Sequence, residues 1–251
     1  MKLDEIAKYT LPQFKSEIGD QQKERSHALT SRRKDWEKHP ELEVYLAAFD
    51  YDDITISRQQ LYDMAPKDTQ DMILYATIWG YYNDTSPGGT NIKKSVAVNS
   101  EKIRDALDEA AKNGIPNWKE HYKNVVSQFK GVGISTYSKF LTFKGIMVEG
   151  VPALIIDRHV GNVIRSGDFD EFNELKKITP DPARNREGFS KNYAEIVKGI
   201  HKVAAEVGIP APNLEMFMYQ WNAQKGKLRR ELLKRMNLES TINQDLIKMD
   251  T

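Results

Sequence analysis

A turn of two glycines around one valine, Gly131-Val132-Gly133, is the strongest indication of a binding site in this sequence. The segments on either side, Pro116–Phe129 and Ser135–Phe143, have the spacing of apolar residues that is typical of helices. Glycine tolerates positive φ and has no Cβ, so another backbone can approach such a turn closely. The N–H groups that begin the second helix, together with the positive end of its dipole, favour phosphate. The turn is therefore predicted to hold a DNA backbone without reading its sequence.

The residues around this turn separate it from an ordinary corner between two helices, which has the same local pattern. Phe129 precedes the turn, and the following helix carries an apolar stripe made of Tyr137, Phe140 and Leu141. Some two dozen residues further along lies the segment Ile155–Val160, which reads IIDRHV. The turn and this segment together carry more weight than either alone.

A hairpin of this kind, followed at that separation by an apolar pair and Asp-x-His-Val, resembles the helix-hairpin-helix–GPD superfamily of DNA glycosylases. Within it the sequence is most similar to the 8-oxoguanine DNA glycosylases and the compact bacterial and archaeal proteins like them. The specific resemblance covers about residues 116–166, and a looser helical match extends across residues 55–225. It implies an all-α, two-lobed helical glycosylase fold with a helix-hairpin-helix motif at Phe129–Phe143.

The resemblance also implies a division of the chain. Larger eukaryotic-type relatives begin with a β-rich domain, whereas residues 1–50 here have the charge pattern of helices. We therefore expect a charged helical N-terminal extension over residues 1–50 and a glycosylase core over residues 51–251, without an N-terminal β domain. Residues 12–40 should form one or two amphipathic helices, Asn83–Thr90 a loop, and Lys225–Met249 a charged helix. No pair of strands is expected.

In bifunctional members of this superfamily, a lysine on the second hairpin helix attacks C1′ of the sugar, and an aspartate assists. The usual lysine position is Ser135 here, and Lys139 follows one helical turn later on the same face. A lysine stem can bridge that distance, so the resemblance implies Lys139 and Asp157 as catalytic residues. The alternative interpretations are a surface lysine on an amphipathic helix and an aspartate that caps a helix N-terminus.

The resemblance implies further contacts with DNA around these two residues. They are Lys130, Gly131, Val132, Gly133, Ser135, Arg158 and His159. On the late helix Asn213–Trp221, Glu215 and Tyr219 lie four residues apart and are candidates for a pocket that holds the extruded base. Tyr81, Tyr82 and the loop after them are candidates for the wedge that base extrusion requires, although a simple surface loop is the plainer explanation.

The composition limits the chemistry. The 251 residues include no cysteine, which excludes disulfides, cysteine nucleophiles and iron–sulfur clusters. The five histidines show no metal-ligand spacing, so we expect no cofactor and no metal, apart from a structural monovalent cation at the hairpin carbonyls as in relatives.

The formal net charge is +1, so any basic DNA-binding surface must be local. With no apolar stretch of membrane-spanning length and no signal peptide, we expect a cytoplasmic monomer without membrane association.

The most specific hypothesis is a bifunctional DNA glycosylase/AP lyase that excises an oxidised purine, with 8-oxoguanine as the expected base. Lys139 would form a Schiff base with the sugar of double-stranded DNA that carries a damaged base, and β-elimination would then nick the strand. Two alternatives stay open. A non-catalytic helix-hairpin-helix DNA-binding module is favoured by Ser135 at the lysine position and by the near-zero net charge. A glycosylase-like enzyme that acts on a modified base in a bacterial defence system fits the same residues.

Overall fold

Most of the chain is helical, as the spacing of apolar residues predicted. The computed structural model describes residues 9–19, 21–49, 51–82 and 87–223. The first half of the chain contains the helices α1 (Lys15–Ile18), α2 (Gln21–Ser26), α3 (Arg33–Trp36), α4 (Glu43–Leu46), α5 (Arg58–Met64), α6 (Thr69–Gly80) and α7 (Pro87–Asn113). The second half contains α8 (Trp118–Asn124), α9 (Ile134–Phe143), α10 (Arg158–Ser166), α11 (Asn173–Ile178), α12 (Arg186–Lys191), α13 (Tyr193–Val207) and α14 (Ala211–Ala223). The all-α class is therefore confirmed.

A strand lies where the sequence predicted only charged helices. β1 (Ala28–Arg32) pairs antiparallel with β2 (Asp53–Ser57), a segment with three β-branched residues in a row. The expectation of helices throughout residues 12–40 and of no strand pair is wrong, because the partner strand lies well beyond the window in which a helical charge pattern is recognised. A second, much smaller antiparallel pair joins β3 (Met147–Val148) to β4 (Val151–Pro152).

The segment before residue 50 is built into the same hydrophobic core as the rest of the chain. Leu11 and Phe14 are buried, and the Phe14 ring packs on Phe217 and Trp221 of α14, with ring centroids 5.6 and 5.4 Å apart. The division of the chain at residue 50 stays a prediction. It falls between the two paired strands β1 and β2, and residues on both sides of it share one core.

Helix α7 begins earlier than predicted. Pro87 opens the helix, so Gly88, Gly89 and Thr90 are helical rather than part of the expected loop. Proline fits the first turn of a helix because an N–H at that position has no intrahelical acceptor. Residues 83–86 and the helix expected at 225–249 lie outside the described part of the chain.

Helices α6 and α9 pack directly against each other. Met72 and Ile73 of α6 are fully buried, and so is Phe140 of the apolar stripe predicted for α9. At the end of α6 the backbone of Gly80 lies against the stem of Lys139, and a Cβ at residue 80 would come within 2.9 Å of the lysine Cε. The packing of the two helices therefore fixes where the Lys139 side chain runs.

Replacing Phe14 by alanine tests whether the N-terminal segment belongs to the core. Phe14→Ala should lower the free energy of unfolding by about 3–5 kcal/mol, the usual cost of removing a buried phenylalanine. The matched control is Tyr51→Ala, because the Tyr51 side chain is 82% exposed; it should change the free energy by less than about 0.5 kcal/mol. Urea unfolding followed by circular dichroism measures both variants. Equally small losses would contradict a shared core.

Candidate active site

The glycine turn that joins α8 to α9 is fixed on one side and open on the other. Gly131 has a φ of +86°, and a Cβ there would collide with the Ser95 hydroxyl of α7, so backbone and packing both require glycine. Val132 is buried, which attaches the turn to the core. Gly133 has nothing within 4 Å of the position a Cβ would take, and both it and Lys130 are exposed. The open side lies next to the N-terminus of α9.

The Lys139 side chain is buried, with only 7% of its surface exposed. Its Nζ donates a hydrogen bond of 2.6 Å to the carbonyl oxygen of Ser135, one helical turn earlier. The amine thus returns to the level of residue 135. Burial lowers the pKa of the Lys139 amine, and the positive charge of Arg58 acts in the same direction. The carboxylates of Asp157 and Glu215 oppose this lowering of the pKa.

Asp157 caps the N-terminus of α10. One of its carboxylate oxygens accepts hydrogen bonds from the backbone N–H groups of His159 and Val160, at 2.8 and 3.1 Å. The charge of Asp157 also acts on the Lys139 amine and on the His159 ring. Asp157 therefore caps α10 and also exerts its charge on the Lys139 amine.

A hydroxyl on α9 holds the segment before Asp157 in place. Ser138 is fully buried, and its Oγ accepts a hydrogen bond of 3.1 Å from the backbone N–H of Ile156. Because Ser138 precedes Lys139 and Ile156 precedes Asp157, this bond joins the backbone that leads into Asp157 to the helix that carries Lys139. The sequence analysis missed Ser138, since a serine on an apolar helix carries no sign of its partner.

A buried ion-pair network lies beside Lys139, and we call Arg58, Glu24 and Glu215 the Arg58 network. Arg58 binds both carboxylate oxygens of Glu215 at 3.0 Å and one oxygen of Glu24 at 2.8 Å, and all three side chains are buried. Burial raises the pKa of the Glu215 carboxyl, although the adjacent guanidinium acts against this. Both oxygens of Glu215 are engaged by Arg58, and its role in a base pocket stays a prediction.

The sequence analysis missed Arg58 and Glu24. A capping box between Ser57 and Gln60 marks the start of α5, where Arg58 is the first residue. It does not reveal that the arginine points inward, because the partner Glu215 lies 157 positions away.

Tyr219 and His159, two residues predicted for DNA and base binding, contact each other. Their rings meet edge to face, with centroids 5.4 Å apart. The side-chain amide nitrogen of Asn222 lies 2.7 Å from His159 Nδ1. An amide nitrogen only donates, so Nδ1 accepts and the ring proton sits on Nε2. Burial lowers the pKa of His159, which favours this neutral form.

Two aromatic residues that the sequence analysis did not single out complete the cluster. The His27 ring lies edge to face with Trp79, at 5.8 Å between centroids, and with Tyr219, at 6.1 Å. Burial lowers the pKa of His27 to about 4, and the charge of Arg58 adds to this. His27 precedes β1, in the segment for which only amphipathic helices were predicted. We call Lys139, Asp157, His159, Tyr219, His27, Trp79 and the Arg58 network the Lys139 cluster.

The predicted wedge residues lie at the end of α6, next to the Lys139 cluster. The Tyr81 hydroxyl shares a hydrogen bond of 2.6 Å with the Thr136 hydroxyl, and its ring centroid is 5.8 Å from Lys139 Nζ. The carbonyl oxygen of Tyr82 accepts a hydrogen bond from the Ser31 hydroxyl of β1. A wedge role for Tyr81 and Tyr82 stays a prediction.

The predicted DNA contacts differ in exposure. Lys130, Gly131, Gly133 and Arg158 are exposed, Ser135 and His159 are half-buried, and Val132 is buried. A backbone phosphate can therefore reach the exposed residues directly, whereas Val132 can only support the turn. The contacts themselves stay predictions.

A surface cleft of about 580 Å³ lies elsewhere on the protein, and its lining residues are not part of the Lys139 cluster. Four aspartates line it: Asp53, Asp63, Asp68 and Asp71. Negative charge of this density repels a phosphate backbone, so we place the candidate site at the Lys139 cluster.

Within the described ranges, no group of three or more histidine, cysteine, aspartate or glutamate side chains is placed to hold a metal ion. The monovalent cation at the hairpin stays a prediction. None of the helices in the described part of the chain is long and apolar enough to cross a membrane.

Comparison with protein families gives one match. The family model described as "Putative 8-oxoguanine DNA glycosylase OGG-like protein" matches residues 22–219, which include every member of the Lys139 cluster. Searches among curated proteins and among solved structures give no match.

Substitutions of Asp157 separate the effect of its capping hydrogen bonds on stability from the effect of its negative charge. Asp157→Ala should lower the free energy of unfolding by about 0.5–2 kcal/mol, because two N–H groups of α10 lose their acceptor. Asp157→Asn should keep most of the stability, since the asparagine oxygen caps nearly as well. Thermal and urea unfolding measure both variants. An equal loss for alanine and asparagine would contradict a capping role.

Proposed function

Because the chain belongs to the OGG-like DNA glycosylase family, as the glycine turn and the IIDRHV segment predicted, we propose that it excises a damaged base from double-stranded DNA and then cleaves the strand. Lys139 is the proposed nucleophile, and Asp157 is the proposed carboxylate that stabilises positive charge on the sugar. An oxidised purine, foremost 8-oxoguanine, is the proposed base. The observation that carries the proposal is the burial of the Lys139 amine at the Ser135 carbonyl, where the charge of Asp157 acts on it.

The burial of Lys139 argues against an ordinary surface lysine. Lysines that only solubilise a helix keep their amine in water and bury at most the stem. Here the amine is inside, hydrogen-bonded to the Ser135 carbonyl at the level where the bifunctional superfamily members carry their lysine. A neutral amine is the nucleophile, and burial favours the neutral form. Ser135 at the usual position is therefore compatible with lysine chemistry supplied from one turn later.

The proposed reaction has two stages. The lone pair of Lys139 Nζ attacks C1′, the bond from C1′ to the base breaks, and the base leaves with the bonding electrons and takes up a proton. The sugar ring opens to a Schiff base between Nζ and C1′. Loss of a proton from C2′ then expels the 3′ phosphate, which breaks the strand, and water hydrolyses the Schiff base to free the lysine. The Asp157 carboxylate lowers the energy of the positively charged sugar in the first stage.

The glycine turn is the proposed grip on the DNA strand. The exposed N-terminus of α9 behind Gly133 offers backbone N–H groups and a positive dipole end to a phosphate. Lys130 and Arg158 are exposed near the two helix starts and add positive charge. His159 would donate from Nε2. Such contacts fix the strand and leave base recognition to the pocket.

A non-catalytic DNA-binding module is the second candidate, because Ser135 occupies the usual lysine position and the net charge is only +1. It would bind DNA in a salt-dependent way and cleave no damaged substrate. An enzyme that acts on another modified base is the third, and a panel of modified-base duplexes distinguishes it from an 8-oxoguanine glycosylase.

Covalent trapping tests the lysine. Wild-type protein incubated with an abasic-site duplex and borohydride should give a covalent adduct, because the reductant converts the Schiff base into a stable amine. Lys139→Gln should give no adduct and should lower strand cleavage by at least about 100-fold.

The control for this experiment is Lys144→Gln. The Lys144 amine also lies near α9, but it binds the Ala65 carbonyl and pairs with Asp108, away from the Lys139 cluster. This variant should trap DNA as the wild type does. A wild type without any adduct, or an undiminished adduct with Lys139→Gln, would contradict the proposed mechanism.

The pH dependence of trapping tests the state of the amine. Since the folded protein lowers the pKa of Lys139 below the ordinary 10.5, the neutral fraction should rise as pH increases through the lowered pKa. The single-turnover trapping rate should therefore reach half its maximum below pH 10.5. A midpoint at or above that value would mean that burial does not favour the neutral lysine.

A further inference from the structure

Two polar ring atoms in the Lys139 cluster are buried without a hydrogen-bond partner among the described residues. They are Nε2 of His27 and Nε1 of Trp79, and the Nε of Arg58, whose guanidinium lies 5.5 Å from the Trp79 ring centroid, is also unpaired. An indole N–H or an imidazole nitrogen that is buried without a partner loses its hydrogen bond to water and gains none in return, which destabilises the fold. Most buried polar atoms in proteins are paired, so an adjacent unpaired couple calls for an explanation.

The position of the two rings explains why their polar atoms are unpaired. Trp79 is next to Gly80, whose backbone lies against the Lys139 stem, and only 5% of the Trp79 surface is exposed. His27 contacts both Trp79 and Tyr219, which in turn meets His159. The two rings are therefore in contact with each other and with Tyr219 on the helix that was predicted to face the extruded base, and Trp79 adjoins the residue that packs on the Lys139 stem.

The chemistry of the two atoms is complementary. The Trp79 nitrogen can only donate a hydrogen bond. Burial lowers the pKa of His27 to about 4, so the ring is neutral near pH 7. A neutral ring with its proton on Nδ1 presents a lone pair at Nε2 and accepts. Together the rings present one donor and one acceptor.

We propose that His27 and Trp79 recognise the edge of an oxidised purine, with the Trp79 N–H donating to a carbonyl oxygen and His27 Nε2 accepting from the adjacent ring N–H. This inference rests on the proposed glycosylase function and adds the residues that select the base. 8-Oxoguanine has an N–H at N7 between two carbonyl oxygens, whereas guanine has a lone pair at N7. The lone pair at His27 Nε2 would accept the N7–H of 8-oxoguanine and repel the N7 lone pair of guanine. Both residues are specificity-determining, since they touch the base and not the reacting sugar.

The test compares two substrates of one sequence, a duplex with 8-oxoguanine and the same duplex with an abasic site. His27→Phe keeps a ring of similar size, and Trp79→Phe keeps an aromatic ring; both remove the polar atom. For each variant, the single-turnover rate on 8-oxoguanine divided by that on the abasic site should fall about tenfold or more. The ratio cancels any unfolded fraction, because unfolding removes both activities equally.

The chain offers matched controls for both substitutions. His121 resembles His27 in burial and in a pKa lowered to about 4, but it bonds to the Tyr137 hydroxyl. Trp118 is fully buried, and its Nε1 donates to the Ser190 carbonyl. His121→Phe and Trp118→Phe should keep the wild-type ratio.

The outcomes separate the two proposals. If the wild type neither excises a base nor forms a trapped adduct, the proposed function is wrong. If the wild type excises 8-oxoguanine and both cluster variants keep the wild-type ratio, the function stands and the recognition role is overturned. A wild type that cleaves the abasic site but leaves 8-oxoguanine untouched also overturns it. A fall of the ratio in both cluster variants, but in neither control, supports it.

Discussion

The buried guanidinium of Arg58 is the interaction on which the candidate site depends. Removing a cation from water costs several kcal/mol, and here Glu24 and Glu215 offset that cost from α2 and α14. Three segments that are far apart in the sequence are thereby held at one point. The Trp79 ring lies 5.5 Å from the same guanidinium, so the charged and the aromatic parts of the site share one anchor. Loss of Arg58 would leave the two buried carboxylates of Glu24 and Glu215 without their cation.

The charged groups around Arg58 influence the pKa of the Lys139 amine. The guanidinium and the dry surroundings favour a neutral amine, while Asp157 and Glu215 favour an ammonium. Helical geometry and two contacts, to the Ser135 carbonyl and along the Gly80 backbone, decide where the amine lies. The protonation of the amine and its position thus depend on different neighbours.

The sequence could predict those features of the fold and the site that are encoded by a local pattern of residues. The glycine turn and the Asp157 cap are set within a few residues. The choice of Lys139 as nucleophile came from helical spacing together with a family resemblance, and it stays a prediction. Arg58, His27 and Trp79 were missed because only distant partners make them important, and a buried arginine has the same local sequence as a solvated one. The sequence analysis missed the strand pair β1–β2 for the same reason. Each strand is short, and it can be recognised only together with its distant partner.

Helix α14 is the last described element, and it carries Glu215 to Arg58 and Phe217 to Phe14. A ribosome delivers the chain from its N-terminus, so these partners emerge after nearly everything they must hold. Until then Arg58 lacks its bidentate carboxylate and the first core residues lack their aromatic neighbours. A polypeptide whose synthesis stops before α14 is therefore released without an assembled Lys139 cluster.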